Sequence, residues 1–286
     1  MATLAERIMA DLETLSDLPS PSPVLVKLSS TLGRDDVDLR EIEELISQDP
    51  VLAGRLIQAA NAAVFAGYGP TSSIRNALLR LGLIRVRRLA LMLGLFNAMP
   101  ASRTPKAFWP HSLGTAICSE VILRHVTPPR EQADPDAIFL AALLHDLGLL
   151  VLSSHYRKEY LELLDVASRE GKALDDVEDA VLGIDHGLIG AQLAIQWSLP
   201  PVVCAAIRGH HRTDQVLPEH RWNTLVVHLA DALCRETGIA RMNEAPGLRR
   251  DDPALAELGI APALLPTLIE EARVEVRRAT DALAQV

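Results

Sequence analysis

Residues 137–144 read Ala-Ile-Phe-Leu-Ala-Ala-Leu-Leu, and after one His145-Asp146 pair the apolar run resumes through Leu152. A helix that is apolar on every side has no solvent face, so other elements must wrap it on all sides. The spacing predicts one continuous helix that starts at Asp134–Asp136 and runs through the His-Asp pair to Leu152, central to its lobe. The pair is then buried or faces a pocket, where an unpartnered polar group is costly. Suitable partners lie elsewhere in otherwise apolar helical sequence: His111, His186, His210-His211 and Asp231. Five of the nine histidines, with two aspartates, make up this set.

Side chains of adjacent helical residues project about 100° apart. His145 and Asp146 can therefore share an ion only if it lies near the helix surface between them, and the carboxylate can also bridge to a second ion. Imidazole suits zinc, iron, nickel or manganese, and carboxylate oxygen tolerates harder ions. A His/Asp set without thiolate points to a catalytic type of centre rather than a closed structural zinc. One or two divalent transition ions (Fe, Mn, Ni or Zn) are the expected cofactors, with His111, His145, Asp146, His186, His210, His211 and Asp231 as candidate ligands. Two ions a few ångströms apart would activate water and hold phosphate oxygens. His125, His155, His220 and His228 are read as ordinary core or surface residues, and Trp109 and Trp197 as packing residues that frame the pocket.

The rest of the chain also reads as helix. Its 286 residues contain abundant Ala, Leu and Arg and only 3% aromatic residues, which favours an all-α fold. Asp38 with Glu41 caps a helix over Leu39–Ser47, and the Asp49-Pro50 step opens the next, over Val51–Phe65. Further helices are expected near Val24, over Ser73–Leu81 and over Ile84–Met99. These form an N-terminal helical bundle, residues 1–104, which contains no histidine. Residues 105–286 form the second lobe. Its further helices are expected at His111, from Tyr156 to Glu170, Leu174 to Gly183, His186 to Gln196, Pro201 to Arg208, Trp222 to Thr237 and Pro262 to Leu283, with an exposed loop over Gly238–Pro253.

The net charge of −9 argues against broad nucleic-acid binding, although Arg80, Arg85, Arg87 and Arg88 form a local cluster, read as a solvated helix face. Cys118, Cys204 and Cys234 lack any CxxC spacing and read as buried, reduced thiols. The N-terminus lacks a secretory signal, and no apolar segment reaches the roughly 18 residues needed to span a bilayer. A cytoplasmic protein with no membrane contact is expected.

Several motifs together resemble the HDOD family, the HD-related output domains of bacterial signalling. They are Leu18-Pro19, Ile46-Ser47-Gln48-Asp49-Pro50-Val51-Leu52, Ala60-Asn61-Ala62-Ala63, Ser73-Ile74-Arg75-Asn76-Ala77 and Leu81-Gly82. Phe108-Trp109-Pro110-His111-Ser112, Leu143-Leu144-His145-Asp146-Leu147-Gly148, Asp185-His186, Trp197-Ser198-Leu199-Pro200 and His210-His211 continue the match. The resemblance implies a helical N-terminal subdomain on an HD-like lobe, and a regulatory module that acts on signalling partners without established enzymatic activity.

The chain is also similar to the HD-GYP phosphodiesterases of cyclic di-GMP. That similarity implies one metal position at His111, His145, Asp146 and Asp231, and a second at His186, His210 and His211, bridged by Asp146. However, Leu149 replaces the lysine that often follows the His-Asp-x-Gly turn, and no Gly-Tyr-Pro segment follows His211. Losing a cation that neutralises phosphate impairs catalysis more than metal binding. The expected function is therefore a regulatory protein with a metal-competent pocket. The alternatives are a metal-dependent phosphohydrolase acting on a cyclic dinucleotide or similar ester through Asp146, and a nucleotide sensor that does not hydrolyse.

Overall fold

A computed structural model describes residues 3–14, 27, 38–61, 71–82, 86, 105–129, 134–239 and 247–283, and among these there is helix and no strand. The expected helices near Val24 and, apart from Val86, over Ile84–Met99, the end of the helix expected over Val51–Phe65, the arginines 85, 87 and 88, and residues 240–246 of the expected loop lie outside the described residues. The chain divides into one unit of Met1–Leu18 with Ala101–Thr280 and another of Pro19–Pro100 with Asp281–Val286.

This division differs from the expected 1–104 and 105–286. Helix α1 (Leu4–Thr14) packs with the histidine-bearing unit, where Ile8 and Leu12 are buried and Asp11 accepts a hydrogen bond from the Tyr156 hydroxyl. In sequence α1 is only a short amphipathic helix before a proline-rich break. Which core its apolar face joins is a tertiary matter.

The smaller unit contains α2 (Leu39–Ser47), α3 (Pro50–Ala60) and α4 (Ile74–Leu81). Asp38 caps α2 by accepting from the Arg40 N–H at 2.9 Å, Asp49 accepts from Leu52 N–H at 3.0 Å beside the proline that opens α3, and Ser73 caps α4. Ile42, Leu45 and Ile46 of α2 meet Leu52 and Leu56 of α3 and Ala77, Leu78 and Leu81 of α4 in one core.

The larger unit continues with α5 (Phe108–Leu123), α6 (Pro135–Leu144), α7 (Leu147–His155), α8 (Arg157–Glu170), α9 (Leu174–Leu182), α10 (His186–Gln196), α11 (Pro201–Gly209) and α12 (Pro218–Thr237). The short α13 (Pro253–Glu257) and α14 (Leu265–Leu283) complete it. As the apolar run requires, α6 is wrapped by α5, α11 and α12, and every residue from Ala137 to Leu152 is buried. By composition the stretch Pro135–His155 is apolar and long enough to cross a membrane, which corrects the expectation that no segment reaches that length. Here it is a core element, 94% of its most apolar window being buried against protein.

The run is not one continuous helix. It breaks into α6 and α7, and His145 and Asp146 form the turn between them. Asp146, with φ −91° and ψ 13°, sits at the start of α7. The break releases both side chains from the 100° spacing of a straight helix.

Glycine allows a close backbone-to-backbone approach in this unit. Gly148 of α7 lies against the start of α10, where an added Cβ would sit 2.1 Å from the His186 carbonyl oxygen and 2.8 Å from its carbon. Opposite it, a Cβ on Gly190 would meet the Gly148 nitrogen at 3.0 Å. Two bare backbones thus bring the starts of α7 and α10, and with them Asp146 and His186, together. Gly148→Ala is expected to force these helices apart, at a cost of about 1–3 kcal/mol. That corresponds to a melting temperature lower by roughly 2–12 °C, measurable by thermal denaturation.

Candidate metal centre

His111 projects from the first turn of α5, His145 and Asp146 from the α6–α7 turn, and His186 opens α10. His210 and His211 follow the last residue of α11, and Asp231 lies midway along α12. Helix ends do much of the aiming. His145 and His210 each occupy the position just past a helix, and each donates Nδ1–H to a carbonyl three residues back, Ala142 at 2.8 Å and Ile207 at 2.7 Å. Those carbonyls lack an intrahelical partner. One bond thereby satisfies the helix end and fixes the imidazole with Nε2 turned inward.

All seven expected ligands converge. In the first cluster His111 Nε2 lies 3.1 Å from Asp231 Oδ1 and 3.5 Å from Asp146 Oδ2, while His145 Nε2 lies 3.2 Å from Asp146 Oδ2 and 3.7 Å from Asp231 Oδ1. In the second, Asp146 Oδ1 lies 3.4 Å from His186 Nε2 and 3.8 Å from His210 Nε2, and His211 Nε2 lies 3.1 Å from His186 Nε2. Asp146 thus gives one oxygen to each cluster. In each cluster, ligand atoms of at least three residues lie within 4.8 Å of one another.

The donor chemistry fits a divalent ion. The Nε2 atoms of His145 and His210 are buried without any hydrogen-bond partner, although buried polar atoms are normally satisfied. His186 and His211 face each other through ring nitrogens, an arrangement that needs a proton or a cation between the lone pairs. Both features are what nitrogen ligands aimed at a common ion would show.

The charges divide sharply. Burial alone would raise the Asp146 pKa, but His145 and His186 outweigh it and hold the carboxyl well below its usual range. At Asp231 burial is likewise outweighed, by Arg235 and His111. Burial opposes protonation of His111 and His186, yet Asp231 and Cys234 raise the first well above 6.5, and Glu178 and Asp146 raise the second. His210 is pushed down to about 3 by burial and by His145 and His186, and His211 falls well below its usual value through burial and the same crowding by imidazoles. The surroundings thus favour a proton on His111 and on His186 and disfavour one on His210 and on His211.

Two participants escape the sequence reading. Glu178 of α9 is fully buried, accepts from the His186 backbone N–H at 2.8 Å, and accepts from His186 Nδ1–H at 2.6 Å. Its signal was position: four residues from both Leu174 and Leu182, it is a carboxylate on an apolar stripe. Arg235, four residues after Asp231, sets Nη1 2.7 and 2.6 Å from its two oxygens. His228 stays outside the cluster, but it donates Nδ1–H to the His210 carbonyl at 2.7 Å and so braces that ligand's backbone. His125 pairs with Glu271 at 3.0 Å and His155 with Ser154. Trp109 packs edge-on against Phe108. Cys118, Cys204 and Cys234 are free and buried.

Residues 18–213 match the family model described as the HDOD domain. The fold is similar to that of an HDOD domain protein with unknown function from Geobacter sulfurreducens, 25% identical, with 97% of this chain and 96% of that one covered at a TM-score of 0.80. A Marinobacter aquaeolei VT8 protein, named for a proposed role in signal transduction, shares the fold at a TM-score of 0.79 and 24% identity, over 100% of this chain and 61% of its own. An uncharacterized protein of Treponema pallidum (strain Nichols) is 26% identical over 221 residues, 77% of this chain. The match spans only 41% of that relative's length.

An ion competes with the protons that the surroundings favour on His111 and His186, so apparent affinity is expected to rise with pH. Calorimetric titration with Zn²⁺ in two buffers of different ionisation enthalpy checks this; equal heats would mean that no proton leaves. Glu178→Gln keeps the shape but weakens the acceptor behind His186, and should lower ion affinity by about 10–100-fold in the same titration.

Proposed function

The chain belongs to the HDOD family, and from that premise we propose that it is a cytoplasmic bacterial signalling protein that works by contact with protein partners and carries a metal-competent pocket. The observation that carries this reading is the closure of the pocket. His111, His145, Asp146, His186, His210 and Asp231 are each no more than 5% exposed, and only His211 is half-buried. A dinucleotide phosphate cannot approach ligand atoms buried to that degree unless the lobe opens. Leu149, which replaces the expected lysine, is itself buried in the apolar core and offers no charge to a phosphate. The ion, in this reading, stabilises the unit that partners contact.

One specific observation favours a second reading, hydrolysis of a phosphodiester such as a cyclic dinucleotide: no ligand position is missing. A bound divalent ion would polarise phosphoryl oxygens and acidify a bound water. Asp146 would then bridge the two positions, with Glu178 and the Ala142 and Ile207 carbonyls holding the imidazoles in register.

Two measurements separate these readings. Metal-loaded protein is expected to turn over bis(p-nitrophenyl) phosphate and cyclic di-GMP no faster than metal-free protein. Affinity purification from native cells is expected to recover the same protein partner in stoichiometric amount in repeated preparations. Metal-dependent turnover more than about tenfold above background, with no reproducible partner, would overturn the regulatory reading in favour of the hydrolase.

A further inference from the structure

The Arg235–Asp231 pair makes the two halves of the centre unequal. Arg235 lies one turn beyond Asp231 on α12, its side chain 12% exposed, and its Nη1 lies within hydrogen-bond reach of both carboxylate oxygens. A guanidinium does not shed its proton under any ordinary condition. An ion entering between His111, His145, Asp146 and Asp231 must therefore share the Asp231 carboxylate with a permanent cation and remain beside that cation in a low-dielectric interior.

The other half is supported by the opposite charge. Behind His186 stands the buried carboxylate of Glu178, 2.6 Å from Nδ1, an acceptor that strengthens Nε2 as a donor to metal. The equivalent group behind His111 is the Cys234 sulfur, which lies 3.7 Å from Nδ1, farther than the Glu178 oxygen lies from His186. His211, the one half-buried ligand, also belongs to this half and gives it the shorter route to solvent.

We propose that the centre takes a single ion, held by Asp146, His186, His210 and His211, and that Arg235 stands in for a second ion at the position formed by His111, His145, Asp146 and Asp231. This deepens, and rests on, the metal-binding reading of the pocket. Asp231 and Arg235 both lie beyond the matched residues 18–213, so the device belongs to a part of the chain that the family model does not describe.

The test is equilibrium dialysis of the metal-stripped full-length protein against Zn²⁺, with elemental analysis of the retained ion. Wild-type protein is expected to hold one ion per chain, and Arg235→Gln two. Two ions in the wild type with dissociation constants within about tenfold of each other would overturn the inference while leaving metal binding intact, as would a single ion in a folded Arg235→Gln. No ion in either protein would sink the metal reading itself, and this inference with it. Should Arg235→Gln not fold, histidine-resolved NMR of the wild type decides. The first equivalent of Zn²⁺ should move the ring signals of His186, His210 and His211 and leave His111 in place; movement of His111 in that first step overturns the proposal.

Discussion

A carboxylate lodged between two wholly apolar helices cannot stay charged unless the surrounding elements bring it partners. Asp146 is in that position, in the turn between α6 and α7, and four imidazoles lie within 3.8 Å of its oxygens. They come from α5, from the same turn, from the start of α10 and from just past α11. Desolvating a carboxylate costs several kcal/mol unless it is offset by nearby positive charge or donors. The packing of these helices around α6 and the assembly of the centre are thus the same event.

The candidate ligands are held in place by the protein itself. Helix-end carbonyls fix two imidazoles, a buried carboxylate fixes a third, and paired glycines let α7 and α10 touch through backbone atoms. Such preorganisation lowers the entropy lost on binding an ion. The same rigidity closes the pocket.

Much of this was legible in the sequence. The all-helical character follows from composition and period. Caps at Asp38 and Ser73 and the Asp49-Pro50 start are local chemistry, readable residue by residue. The seven candidate ligands stood out because imidazoles and carboxylates in apolar sequence need one another. What was missed shares a cause. Glu178 lies on an apolar stripe but is surrounded in sequence by other acids, and Arg235 reads as one more surface cation until its contact with Asp231 is seen. The broken helix at His145 was missed because every residue on both sides favours its continuation. Helix α1 was assigned to the other unit because its amphipathic pattern says that it packs without saying against what.

The sequence alone therefore determined which segments are helical and which side chains must be gathered inside, because period, capping and the cost of burying a polar group act locally. Tertiary structure alone decided where the central helix turns and which oxygen of Asp146 serves which imidazoles. It also decided that Arg235, rather than a neutral group, grips Asp231. Those outcomes depend on distances of a few ångströms between residues far apart in the chain, and the Coulomb and desolvation energies that fix them exist only after packing has excluded water.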